Sequence, residues 1–172
     1  HPGHHPGQEN RPDHPQARPF SLEARWYTAA QALLIFVNPP EQAAPSAQDP
    51  TVLYLGPGFH QLRTIAFKHY KMVYVAGGAY VQALPPTDEK PLVASDDKGQ
   101  PRWRPFLEIR GMTNCTVRGR GILDFSALPW HARQPIVIVD SQVVRVEGLT
   151  LIDSPLWTLT LGNVEQAVVE NV

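Results

Sequence analysis

The sequence predicts an all-β fold built as the first coils of a parallel β-helix. Three observations carry this expectation. Apolar residues occur in short β-type runs, the runs recur in groups of three along residues 51–172, and Gly, Asn or Asp punctuates them. Eighteen prolines and twelve glycines among 172 residues also argue against long helices. The chain is long enough for one domain with a real core, and 42% of its residues are hydrophobic. Charged residues make up 18% and the net charge is −1, so the sequence lacks the basic footprint of a nucleic-acid binder. It has no apolar run of the ~18–20 residues needed for a membrane-spanning helix. Cys115 is the single cysteine and is expected to be a buried, inert thiol.

Residues 1–17, HPGHHPGQENRPDHPQA, are rich in His, Pro and Gly and almost devoid of large apolar side chains. Such a segment buries too little surface to offset its ordering entropy, and a disordered tail is expected. Its histidines (His1, His4, His5 and His14) lack an apparent scaffold for a metal site. Residues 18–50 hold a β segment or end cap, in which Phe20, Leu22 and Ala24 alternate with polar residues. Leu33–Val37 then has the length of a buried strand, stopped by Pro39-Pro40.

From Thr51 onward the blocks VYVAG (Val73–Gly77), CTVRG (Cys115–Gly119), VRVEG (Val144–Gly148) and AVVEN (Ala167–Asn171) align at offsets of 42, 29 and 23 residues. A β-type run precedes each block (TIAF, FLEI, IVIV and LTLG), and a third run follows the first three (AYV, GILDF and LTLID). The longest offset contains a polar insertion, PPTDEKPLVASDDKGQPRWR, expected to loop out from one corner. Three strands per ~23 residues fit one coil of a parallel β-helix, whose coils stack about 4.8 Å apart. A β-sandwich would instead call for tight hairpins and antiparallel pairing. The chain begins with His1 and ends inside VVENV, which reads as an incomplete N-terminal portion with an unpaired edge.

Residues 51–172 resemble the polygalacturonase-like glycoside hydrolases, the pectinase and dextranase group of right-handed parallel β-helices. The resemblance rests on several motifs in order: Gly119-Arg120-Gly121-Ile122-Leu123-Asp124 as a Gly-x-Gly-x-x-Asp corner, then Trp130 in a Trp-containing loop and Arg133 and Pro135 as an Arg-Pro-type entry to the next strand. Asp153-Ser154-Pro155-Leu156-Trp157 follows as an Asn-Ser-Pro-x-Trp corner with Asp in place of Asn. Upstream, Leu53–His60 and Val73–Gln82 look like the beginning of the helix in bacterial members.

The resemblance implies inverting hydrolysis of a polysaccharide with no metal or organic cofactor. One carboxylate would protonate the leaving oxygen and another would activate water, with about 6.5–9.5 Å between them. The family's Asn-x-Asp, Asp-Asp, Gly-His-Gly and Arg-x-Lys motifs follow the Asn-Ser-Pro-x-Trp coil. The catalytic aspartates are therefore expected beyond Val172, and no catalytic residue is assigned within the chain. Asp96-Asp97, Asp124 and Asp140 read as turn residues, while Asp153 takes the place of a corner Asn that could donate as well as accept.

Trp130 and His131 are the candidate substrate-binding residues, set against a loop anchor as the plainer reading. Trp157 is expected to be buried, because it alternates with Leu159 and Leu161. Arg118, Arg120 and Arg145 could form a cationic strip diluted by Glu147 and Glu170, so acidic and neutral sugar chains both stay open. The partner implied is a polysaccharide, with neither nucleic acid nor membrane. The full-length protein is expected to be a monomer, secreted or periplasmic. The rival readings are a dextranase-like α-glucan hydrolase, a non-catalytic carbohydrate-binding adhesin, and a polysaccharide lyase, for which no Ca²⁺-type acidic cluster is seen.

Overall fold

The computed structural model describes residues 18–22, 33–37, 40–41, 43–67, 69–87, 90–92, 96–97, 99 and 101–172. The predicted tail, residues 1–17, lies outside the described residues, as does Ala24. Two compact units divide the chain, His1–Pro40 and Glu41–Val172. In the first, β1 (Arg18–Leu22) pairs antiparallel with β2 (Leu33–Val37), Arg18 opposite Val37 and Leu22 opposite Leu33.

The second unit contains β3 (Val52–Leu55), β4 (Gly58–Leu62), β5 (Ile65–Ala66), β6 (Met72–Val75), β7 (Ala79–Ala83) and β8 (Leu107–Arg110). It continues with β9 (Thr113–Gly119), β10 (Ile122–Asp124), β11 (Ile136–Glu147), β12 (Thr150–Ile152) and β13 (Leu159–Glu170). Every ladder in this unit is parallel. The larger sheet has seven strands, ordered β3-β6-β9-β11-β8-β5 with β13 also on β11, and the smaller runs β12-β10-β7-β4. Val73, Val75, Val117, Ile138 and Val146 of the larger sheet share one core with Val81 and Leu123 of the smaller. Phe106 meets Phe125 edge-on in that core, with ring centroids 5.3 Å apart.

This architecture corrects the expected right-handed parallel β-helix of three strands per coil. The runs read as the first and second strands of a coil belong to a single sheet, because β11 is continuous over twelve residues and pairs with β13 along nearly its whole length. The described residues form two parallel sheets beside one antiparallel pair, and they include no helix. Parallel pairing on this scale is the habit of α/β sheets rather than of antiparallel β proteins.

Backbone conformation explains how β11 turns without breaking. Asp140 and Val143 sit at φ 51° and 53°, in the left-handed region. Their neighbours by register do the same: Gly111 and Asn163 beside Asp140, and Asn114 and Gln166 beside Val143. The sheet therefore bends along two columns of left-handed residues instead of ending at a loop. Ladder register also corrects one step of the sequence alignment. Val144 pairs with Cys115 and with Ala167, at the expected offsets of 29 and 23, but Val73 pairs with Val117, an offset of 44 rather than 42. A two-residue slip keeps each side chain on its own face, so alternation alone could not detect it.

The Gly119–Asp124 corner is shaped by close approach. A Cβ on Gly119 would collide with the Val75 carbonyl, and one on Gly121 would come within 2.8 Å of the Ala76 oxygen. On the other face of β6, Tyr74 donates a 2.6 Å hydrogen bond to Glu41 and packs with Val52 and Ala76. Burial first, and then this bond and the nearby Glu41 charge, push the Tyr74 phenol up to about 12.

Candidate carbohydrate-binding cleft

Strands β8, β11 and β13 are neighbours and run in the same direction, so the segments leading into them reach the sheet at one end. Three segments meet there: the polar insertion before β8, the Trp130 loop before β11 and the Asp153–Trp157 corner before β13. Backbone hydrogen bonds tie them together. Trp103 N donates to Ala132 O at 2.9 Å, and His131 N donates to Pro155 O at 3.0 Å.

Between them lies a cleft of about 270 Å³, lined among others by Arg102, Trp103, Glu108, Arg110, Gln134 and Leu156. The predicted pair Trp130 and His131 stands beside it. The two rings stack with centroids 3.7 Å apart and planes inclined by 29°. Trp130 is 62% exposed, whereas His131 is half-buried at φ 66° and places Nδ1 3.2 Å from the Asp96 carboxylate. His131 thus acts as a strut, and Trp130 presents the open aromatic surface. Asp96 also accepts from Arg102 Nε at 3.2 Å, with its side chain only 6% exposed. The solvated turn expected at Asp96-Asp97 is corrected to this extent: Asp96 does close a turn to Gly99, yet its carboxylate joins the insertion to the Trp130 loop.

Trp157 corrects another expectation. It lies outside β13 in the corner and is 71% exposed, so the alternation with Leu159 and Leu161 does not extend back to it. The sequence signal that could have found this is Pro155 two residues earlier, which keeps the segment out of the ladder.

The charged groups at the cleft are mutually engaged. Glu108 accepts from Arg110 at 3.0 Å and lies 3.8 Å from Arg104. Asp140 accepts from Arg110 at 3.4 Å and from Asn163 at 2.9 Å. The cationic strip expected from Arg118, Arg120 and Arg145 is dispersed. Arg118 donates to the Ala43 carbonyl and Arg120 to that of Gly119, while Arg145 pairs with Glu147 and Glu170. Among the described residues, no three His, Cys, Asp or Glu side chains are grouped to hold a metal ion. Nor is any helix among them long and apolar enough to cross a membrane.

Asp124, the last residue of the Gly-x-Gly-x-x-Asp corner, is 2% exposed. It accepts from Ser126 N at 2.9 Å, Ser126 Oγ at 3.0 Å and the Tyr80 hydroxyl at 2.9 Å. Burial raises its pKa, but these bonds together with Gln82 outweigh burial and hold the carboxyl below its ordinary 3.8. The Cys115 thiol is buried and pushed up by desolvation, which leaves it poorly nucleophilic.

Comparison of the chain with protein families, with curated proteins and with solved structures yields no match.

Proposed function

We propose that this chain belongs to a polysaccharide-acting glycoside hydrolase of polygalacturonase-like type and supplies part of its sugar-binding surface. The observation that carries the reading is the cleft where three segments meet, with Trp103 in its wall and the exposed Trp130 and Trp157 on two of those segments. Indole faces stack on the C–H faces of sugar rings, and Gln134 and the arginines offer hydrogen bonds. The motif order Gly-x-Gly-x-x-Asp, Trp loop, Asp-Ser-Pro-x-Trp adds the enzymatic class. Hydrolysis would proceed by single displacement with inversion, through aspartates expected beyond Val172, without metal or organic cofactor. A polymeric substrate fits a secreted or periplasmic monomer.

The same tryptophans support a second reading, non-catalytic carbohydrate binding, in which the cleft acid Glu108, paired with Arg104 and Arg110, supplies no free carboxylate.

Native gels containing polygalacturonate or dextran test both readings. Residues 1–172 should be retarded by at least one polymer and should release no reducing ends from it. Trp130→Ala should weaken retardation ~5- to 30-fold, the equivalent of about 1–2 kcal/mol. Retardation by no polymer, or retardation indifferent to both Trp130→Ala and Trp157→Ala, would overturn the assignment. Reducing ends released by this chain would overturn the placement of the catalytic acids.

A further inference from the structure

The smaller sheet carries a second surface suited to a sugar chain. Its outward side chains stand in two rows that cross the strands. In one row, Phe59 of β4 is the register partner of Tyr80 of β7. Their rings stack at 5.9 Å with planes 27° apart, and Phe59 is 63% exposed. In the other row, Gln61 is followed by Gln82 and then by Asp124, again as register partners. The Gln61 amide donates to Gln82 Oε1 at 3.0 Å. The Tyr80 hydroxyl is fixed on the buried Asp124 carboxylate, so the ring is held before any ligand arrives and loses little freedom on binding.

We infer that these two rows form a binding strip for a linear, uncharged glycan, distinct from the tryptophan cleft on the larger sheet. Two rings beside two amides offer stacking and hydrogen bonding at once, each pair spanning one strand-to-strand repeat of about 4.8 Å. That repeat is comparable with the advance of one sugar unit along an extended chain. The charge selects the class. The rings and amides of the rows are uncharged and the one charged side chain among them, Asp124, is a buried carboxylate, so the rows hold no cation to pair with a polyuronate.

The strip and the cleft share no residue, and the test separates them. Wild-type chain, Phe59→Ala, Gln61→Glu and Trp130→Ala are run through native gels containing dextran, xylan or polygalacturonate, with thermal melts confirming that each variant folds. The expected result is retardation by a neutral polymer that Phe59→Ala weakens at least 5-fold and Gln61→Glu weakens in the same direction, with part of the retardation surviving Trp130→Ala. Equal retardation of wild type and Phe59→Ala, retardation by polygalacturonate alone, or none at all would each overturn the strip. Loss through Trp130→Ala alone would overturn it while leaving the cleft reading intact.

Discussion

Asp124 shows how one side chain can organise a corner. Burial alone would favour its neutral form, yet four donors from Ser126, Tyr80 and Gln82 converge on its two oxygens. Because its folded pKa is depressed, its contribution is complete above 3.8 and is lost as the pH falls through the lower folded value. The melting temperature should therefore drop below pH 3.8 in wild type, and that acid limb should flatten in Asp124→Asn. At neutral pH the substitution should cost about 2 kcal/mol in denaturant unfolding, as expected for loss of hydrogen bonds to a buried charge. Trp157 gives the opposite result at the same scale. At 71% exposure it touches little of the core, so Trp157→Ala should change stability by less than ~0.5 kcal/mol while weakening any sugar retardation.

At the scale of the element, β11 is a strand that turns without ending. Glycine, asparagine and aspartate tolerate the left-handed corners, but Val143 holds φ 53° with a branched side chain that is 42% exposed. Val143→Asn should stabilise the protein by ~1 kcal/mol, since it relieves backbone strain and removes little buried surface. An unchanged or lower denaturation midpoint would contradict the strain. The Gly119–Gly121 corner predicts the reverse outcome. Gly119→Ala drives a methyl group into the Val75 carbonyl, and a loss of about 3 kcal/mol or failure to fold is expected.

At the scale of the molecule, two parallel sheets enclose one core, and their edges carry a consequence. Among the described residues β13 pairs on one side only, with β11, and it exposes Leu161, Val168 and Val169 along its length. Glu165 and Glu170 are the charges on this edge and no proline interrupts it, so its exposed apolar residues leave a template for association. In sedimentation velocity, residues 1–172 by themselves should show concentration-dependent oligomers, and Val169→Lys should shift the population toward monomer. A strictly monomeric wild type at high concentration would refute this.

Much of the strand pattern was legible before the structure. Leu33–Val37, IVIV, the VRVEG run and the GILDF run were visible because apolar alternation and Gly, Asn or Asp punctuation are local properties. The aromatic loop was legible too, since Trp130 stands between two clear β runs. What alternation cannot convey is whether a punctuation residue ends a strand or bends it. That depends on the neighbouring strand, and only the ladders of β11 with β9, β8 and β13 show one bent sheet where separate faces were expected. The same limit hid the 44-residue register of Val73 with Val117, the exposure of Trp157 and the burial of Asp96, each set by residues distant in sequence. The sequence by itself determined where most of the apolar strand runs and their Gly, Asn or Asp corners fall, because side-chain period and backbone tolerance are written residue by residue. Tertiary structure alone decided how those strands gather into two sheets and which loops meet at the cleft, because pairing and burial are properties of neighbours that sequence distance does not record.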